Sequence, residues 1–109
     1  MGYDEKNADS INKDNIEDNT EELALFFKVF ADSTRLRILK TLLSGESCVS
    51  DIAEKLNMEQ SAISHSLSFI KQMKLIKSKR VGKQMVYFLA DDHISSIITM
   101  GLEHIGEED

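Results

Sequence analysis

A chain of 109 residues with 41% apolar content is one folding unit, and its core is thin enough that burying a face against a second copy would help it. No apolar run approaches the roughly 20 residues of a membrane-spanning helix, no basic-then-apolar leader opens the chain, and the sole cysteine, Cys48, excludes an internal disulfide framework, so a soluble, unprocessed cytoplasmic protein is expected. The formal net charge of -6 taken alone argues against a nucleic-acid partner, but the charge is segregated: residues 1–22 hold 8 acids and 2 bases, residues 23–90 hold 5 acids and 11 bases, and residues 91–109 hold 6 acids and no Lys or Arg.

Residues 1–20 scatter Met1, Tyr3, Ala8, Ile11 and Ile16 among polar and acidic side chains and read as a mobile acidic arm, leaving residues 21–109 as the folded domain. Leu23, Phe26, Phe27 and Phe30 recur at helical spacing and predict a first helix. Asp32 or Ser33 caps a second, with Leu36, Ile38, Leu39, Leu42 and Leu43 apolar, Arg35, Arg37 and Lys40 outside, and Gly45 at its carboxy end. From Cys48 to Leu56 a short helix gathers Val49, Ile52, Ala53 and Leu56 on one face, and Asn57 ends it because asparagine tolerates left-handed backbone. A further helix, about Gln60 to Met73, buries Ile63, Leu67 and Ile70 and turns Ser61, Ser64, His65, Ser68 and Lys71 outward. Two helices joined by so short a turn read as a helix-turn-helix. Residues 76–80 and 85–89 then form two strands about the turn Val81 to Gln84, a basic hairpin with Lys79, Arg80 and Lys83. The last helix starts at Asp91 or Asp92 and runs to about Ile105, with Gly106 beyond. The fold class is mainly α with a small β-hairpin.

A helix of this kind fits the major groove of DNA, where Ser61, Ser64 and His65 reach base edges or phosphates while Lys71, Lys79, Arg80 and Lys83 neutralise phosphates. The run from Phe30 to Leu39 (Phe-Ala-Asp-Ser-Thr-Arg-Leu-Arg-Ile-Leu), then Cys48 to Ala53, then Gln60 to His65, then the basic wing, together resemble the ArsR/SmtB family of winged-helix metal-responsive repressors over about residues 21 to 107. The resemblance implies a homodimer held by its first and last helices, with one reading helix per protomer on double-stranded operator DNA. Ser33 stands where the family often has proline, Glu59 where a better capping residue is common, and Ser66 where a second ring or amide often follows the histidine.

The final segment holds metal-ligating residue types in an informative pattern. His93, Ile97, Met100, His104 and Glu107 step by four, three, four and three, a seam with the period of a coiled coil. His93 and His104 are 11 residues apart, about 16 Å along a helix, so one zinc ion cannot touch both in one chain. An antiparallel partner helix would bring His104 and Glu107 of one chain beside Asp91 and His93 of the other, giving two equivalent sites per dimer. The resembled family carries its carboxy-helix metal site on this same Asp-x-His, His-x-x-Glu pattern, and all four positions match. Two imidazoles and two carboxylates suit tetrahedral Zn(II), with Co(II) a mimic in vitro. Taken singly, Asp91 reads first as a helix cap, and Cys48, with Ser50 in place of the second thiolate of a Cys-x-Cys pair, reads as a buried or half-buried thiol.

These features point to a cytoplasmic repressor that binds its operator without metal and leaves it when Zn(II) fills the inter-subunit sites. Four protein ligands leave no open position for a catalytic water and no His-Glu-x-x-His run is present, so no enzyme is expected. Two other readings stay open: a winged-helix regulator answering another metal or a thiol-reactive signal at Cys48, and a metal-buffering dimer that does not bind DNA.

Overall fold

The computed structural model describes the backbone of residues 13–106 and the side-chain surroundings of residues 18–106. These residues form α1 Lys13–Phe30, α2 Ser33–Leu43, β1 Ser47–Cys48, α3 Val49–Leu56, α4 Gln60–Gln72, β2 Ile76–Val81, β3 Gln84–Leu89 and α5 Asp92–Gly106. The fold is a winged helix-turn-helix, with α3 and α4 as the helix pair and β2–β3 as the wing. Residues 13–20, expected in the arm, are instead the start of α1, since no glycine or proline interrupts the chain between Gly2 and Gly45. The rest of the arm, residues 1–12, lies outside the described residues.

The apolar positions of α1 divide between two directions. Val29 is fully buried, and Phe26 and Phe30 pack beside it edge to face at 5.3 Å, while Leu23, Leu25 and Phe27 stay about half exposed. Asp32 caps α2 by accepting the Arg35 amide at 3.0 Å. Gly45 follows the helix at φ +137°, where a Cβ would strain the turn.

The expectation that Arg35 lies outside is corrected here. Its Nε and Nη2 donate to the carbonyls of Val29 at 3.1 Å and Lys28 at 3.0 Å, and its guanidinium lies 4.8 Å from the centre of the Phe69 ring on α4. The last carbonyls of α1 need donors, and a planar fork supplies two at once.

Both helices of the helix-turn-helix end in the same backbone motif. The amides of Asn57 and Met58 bond the carbonyls of Glu54 and Ala53 at 3.2 and 2.9 Å, and those of Lys74 and Leu75 bond Lys71 and Ile70 at 2.9 and 3.2 Å. Each motif needs one left-handed residue, and these are Asn57 at φ 56° and Lys74 at φ 71°. Between them α4 sinks Ile63, Leu67 and Ile70 completely into a core shared with Ile38, Leu39, Ile52 and Leu75.

The sheet order is β1-β3-β2, all antiparallel. The wing pairs from Ile76 with Leu89 to Val81 with Gln84 around Gly82-Lys83, and Gly82 takes φ +64°, the positive angle a two-residue hairpin needs at its first loop position. The two-residue β1, which had no visible sequence signal, pairs Ser47 with Tyr87 and Cys48 with Val86, so it ties the base of the wing to the start of α3.

Candidate nucleic-acid interface and metal ligands

The core face of α4 leaves Ser61, Ser64, His65 and Ser68 exposed in one stripe, as helical spacing requires when Ile63, Leu67 and Ile70 point inward. The structure brings the stripe and the wing together through Lys71, whose Nζ donates to the Ser78 hydroxyl on β2 at 2.6 Å. The wing cations differ in their surroundings. Lys79 pairs with Glu46 at 3.0 Å and lies 5.6 Å from the centre of the Phe88 ring, and Arg80 reaches the Met85 sulfur at 4.0 Å. Lys83 stands exposed beside Gly82 at the tip. Glu46 therefore offsets part of the Lys79 charge, a pairing that sequence spacing cannot reveal because the partners are far apart in the chain.

An exposed helix stripe of short polar side chains, continued by a basic hairpin, is a shape for the major groove and the phosphates that bound it. Ser64→Ala and His65→Ala are expected to weaken operator binding by about 1–3 kcal/mol each while changing random-DNA binding little, and Lys83→Ala to weaken both equally. Electrophoretic mobility shifts on operator and scrambled duplexes separate the two, and an unchanged operator affinity for His65→Ala would remove that side chain from the interface.

On α5 the inward face carries Ile94 and Ile98, both buried. His93, Met100 and His104 are exposed and Ile97 half-buried, so the seam lies about a quarter-turn away from the core face. Asp91 precedes the helix and accepts from the amides of His93 at 2.8 Å and Ile94 at 3.3 Å, all at Oδ1. The same oxygen lies 3.3 Å from His93 Nδ1, which leaves the imidazole 89% exposed. Desolvation acts to raise the Asp91 pKa, but the two amide bonds and the His93 contact outweigh it and hold the carboxyl below its usual value. Its capping of α5 is thus present above the ordinary carboxylate range and is lost only as pH falls through the lowered value.

Asp91 and His93 are together at one end of the helix and His104 is at the other, while Glu107 lies outside the described residues. Among the described residues no three acidic, His or Cys side chains of one protomer converge on a metal position. Cys48 is buried, its sulfur 3.3 Å from the Ser50 hydroxyl.

A described apolar face accompanies the seam. Met100 and Ile105 are 65% and 78% exposed, and Phe27, Phe30, Leu36, Ile97, Leu102 and Ile105 help to line an apolar cavity of about 320 Å³ between α1, α2 and α5. Among the described residues no helix is long and apolar enough to cross a membrane.

The fold, with an exposed polar stripe on the second helix of its helix-turn-helix, is that of the winged-helix class of regulators. Residues 32–78 match the family of bacterial regulatory proteins described as the arsR family. Over 92 residues the chain is 36% identical to the transcriptional repressor SmtB homolog of Synechocystis, covering 84% of this chain and 70% of that one. Among solved structures, the AntR antimony-specific transcriptional repressor superposes with a TM-score of 0.73 at 30% identity, over 87% of this chain and 83% of that one. A homodimeric winged helix-turn-helix DNA-binding domain from Mycobacterium bovis superposes at 0.74 with 25% identity, over 90% of this chain and 97% of that one. This chain belongs to the ArsR/SmtB family of transcriptional regulators.

Proposed function

We propose that the protein is a cytoplasmic homodimeric repressor that holds operator DNA in the absence of metal and releases it when Zn(II) binds two inter-subunit sites. The observation that carries this reading is the division of exposed ligands along α5: Asp91 and His93 at its start, His104 near its end. The name of the Synechocystis relative supports a repressor, the family resemblance and the antimony-specific neighbour support a metal-responsive one, and the exposed apolar side chains of α1 and α5 support pairing through those helices. The neighbour named for antimony makes the choice of metal a question for the ligand set. Here imidazole and carboxylate donors favour zinc over thiophilic metals, since the only thiol, Cys48, is buried and distant in sequence from α5.

Zinc would be held by Asp91 and His93 of one protomer and His104 and Glu107 of the other, and it would supply a fixed link between the two α5 helices. Nothing in this role requires an open coordination position, in keeping with a regulator rather than an enzyme. The test is a mixed dimer of Asp91→Ala/His93→Ala chains with His104→Ala/Glu107→Ala chains, its zinc counted by competition with a chelating dye. One intact site per mixed dimer is expected. Two sites or none would overturn the shared-ligand arrangement.

A further inference from the structure

Arg37, Lys40, Thr41, Lys55 and Leu56 line an open concavity of about 270 Å³ where the last turns of α2 and α3 meet. Its three cations converge from two helices. Arg37 Nη2 donates to the Leu56 carbonyl at 3.2 Å, which fixes the guanidinium at the carboxy end of α3. All three cations are exposed, and among the described residues no carboxylate lies within ion-pair distance of any of them. The cluster belongs to the basic stretch of residues 23–90, and what sets it apart from Arg35 and Lys79 in that stretch is that no described carboxylate pairs with it. The carboxy ends of α2 and α3 hold these cations in place, their like charges still repel around one hollow, and an oxyanion would relieve that repulsion.

The position says which oxyanion. Lys55 belongs to the last turn of α3, and only residues 57–59 separate that helix from the first residue of α4. The four Cα steps from Leu56 to Gln60 span about 14 Å at most, comparable to the major-groove width of about 12 Å. A helix whose amino end enters the groove therefore has a phosphate strand within reach of the cluster, and the first helix of a helix-turn-helix is the one that crosses the backbone. We propose that Arg37, Lys40 and Lys55 form a second phosphate-binding site, for the DNA backbone flanking the base pairs read by α4, separate from the cations of the wing. It rests on the DNA-binding reading and adds to it a sequence-independent anchor.

Lys55→Gln, alone and combined with Lys40→Gln, tests this, because both side chains are exposed; Lys40 also borders the apolar cavity between α1, α2 and α5, so sedimentation equilibrium verifies that each variant keeps the association state of wild type. Affinities for the operator and for a scrambled duplex are measured from 50 to 200 mM salt by fluorescence anisotropy, with Lys28→Gln as the charge control and thermal melts to verify folding. Each lost phosphate contact should lower the slope of log affinity against log salt by about 0.9. The combined variant should then lose affinity for both duplexes alike, and its binding should weaken about tenfold less than wild type's across that salt range. A combined variant whose slope equals that of a wild-type protein able to bind its operator overturns this site alone. Wild type that binds neither duplex overturns the DNA-binding reading first. A phosphorus NMR titration of inorganic phosphate covers the other source of the same chemistry: binding of free phosphate at the cluster with no change in the DNA salt slope would make it a small-anion site and overturn the inference.

Discussion

Zinc added to the operator complex of wild-type protein is expected to weaken it by about 5- to 150-fold, the range of a coupling free energy of 1–3 kcal/mol, and His104→Ala is expected to abolish most of that response. The metal-free variant should bind its operator as wild type does, because His104 is exposed on α5 and belongs neither to α4 nor to the wing. Reciprocity gives a second reading of the same quantity: operator DNA must weaken zinc binding by the same factor. Imidazoles ligate only when deprotonated, so the zinc response should fade in acid while metal-free DNA binding persists. Anisotropy titrations of labelled operator with and without zinc measure every part of this. If zinc leaves wild-type operator affinity unchanged, metal sensing at this site is lost while the winged-helix regulator stands.

Ile105→Asp is expected to raise the dimer dissociation constant at least a hundredfold and to remove high-affinity operator binding with it. Ile105 is 78% exposed in the protomer and lies on the apolar cavity margin with Phe27 and Leu102, so its own fold does not depend on it. A carboxylate there would be buried without a partner in each half of a two-fold interface, a penalty of several kcal/mol, and a hundredfold corresponds to about 2.7 kcal/mol. Operator recognition needs two reading helices at a fixed spacing, so a monomer should retain only weak, non-specific affinity. Sedimentation equilibrium gives the association state and a thermal melt gives protomer stability. A variant that remains dimeric would move the interface off α5.

The helices and the wing were legible because periodicity and punctuation agree there. Ile63, Leu67 and Ile70 repeat at helical spacing and are fully buried, and Asn57 and Gly82 stand where positive φ is required. Lys74 at φ 71° was not legible, since lysine carries no turn preference and only the burial of Leu75 forces the chain to turn there. The same limit hid β1, which is too short for alternation to register, and the start of α1, where polarity resembles an unfolded arm although nothing breaks the helix. Of the candidate site, exposure of the α4 stripe and of the α5 seam followed from their periods. The Lys79–Glu46 and Lys71–Ser78 pairings did not, because side chains from different elements meet only once the core has set their distance.

Arg35 has a consequence for how a protein of this shape can move. One guanidinium grips the final carbonyls of α1, sits beside the capping Asp32 and covers Phe69 of α4, so the helix that carries the apolar outer face and the helix that carries the reading stripe share a rivet. Sliding α4 against α1 would strip donors from the last carbonyls of α1 and open the ring contact together, and among the described residues the core holds no buried polar side chain along which to shear. In the proposed homodimer the inexpensive degree of freedom is then quaternary: each protomer would turn as a block, and a signal at the subunit boundary would be expressed as a change in the angle and separation of two otherwise unaltered reading heads.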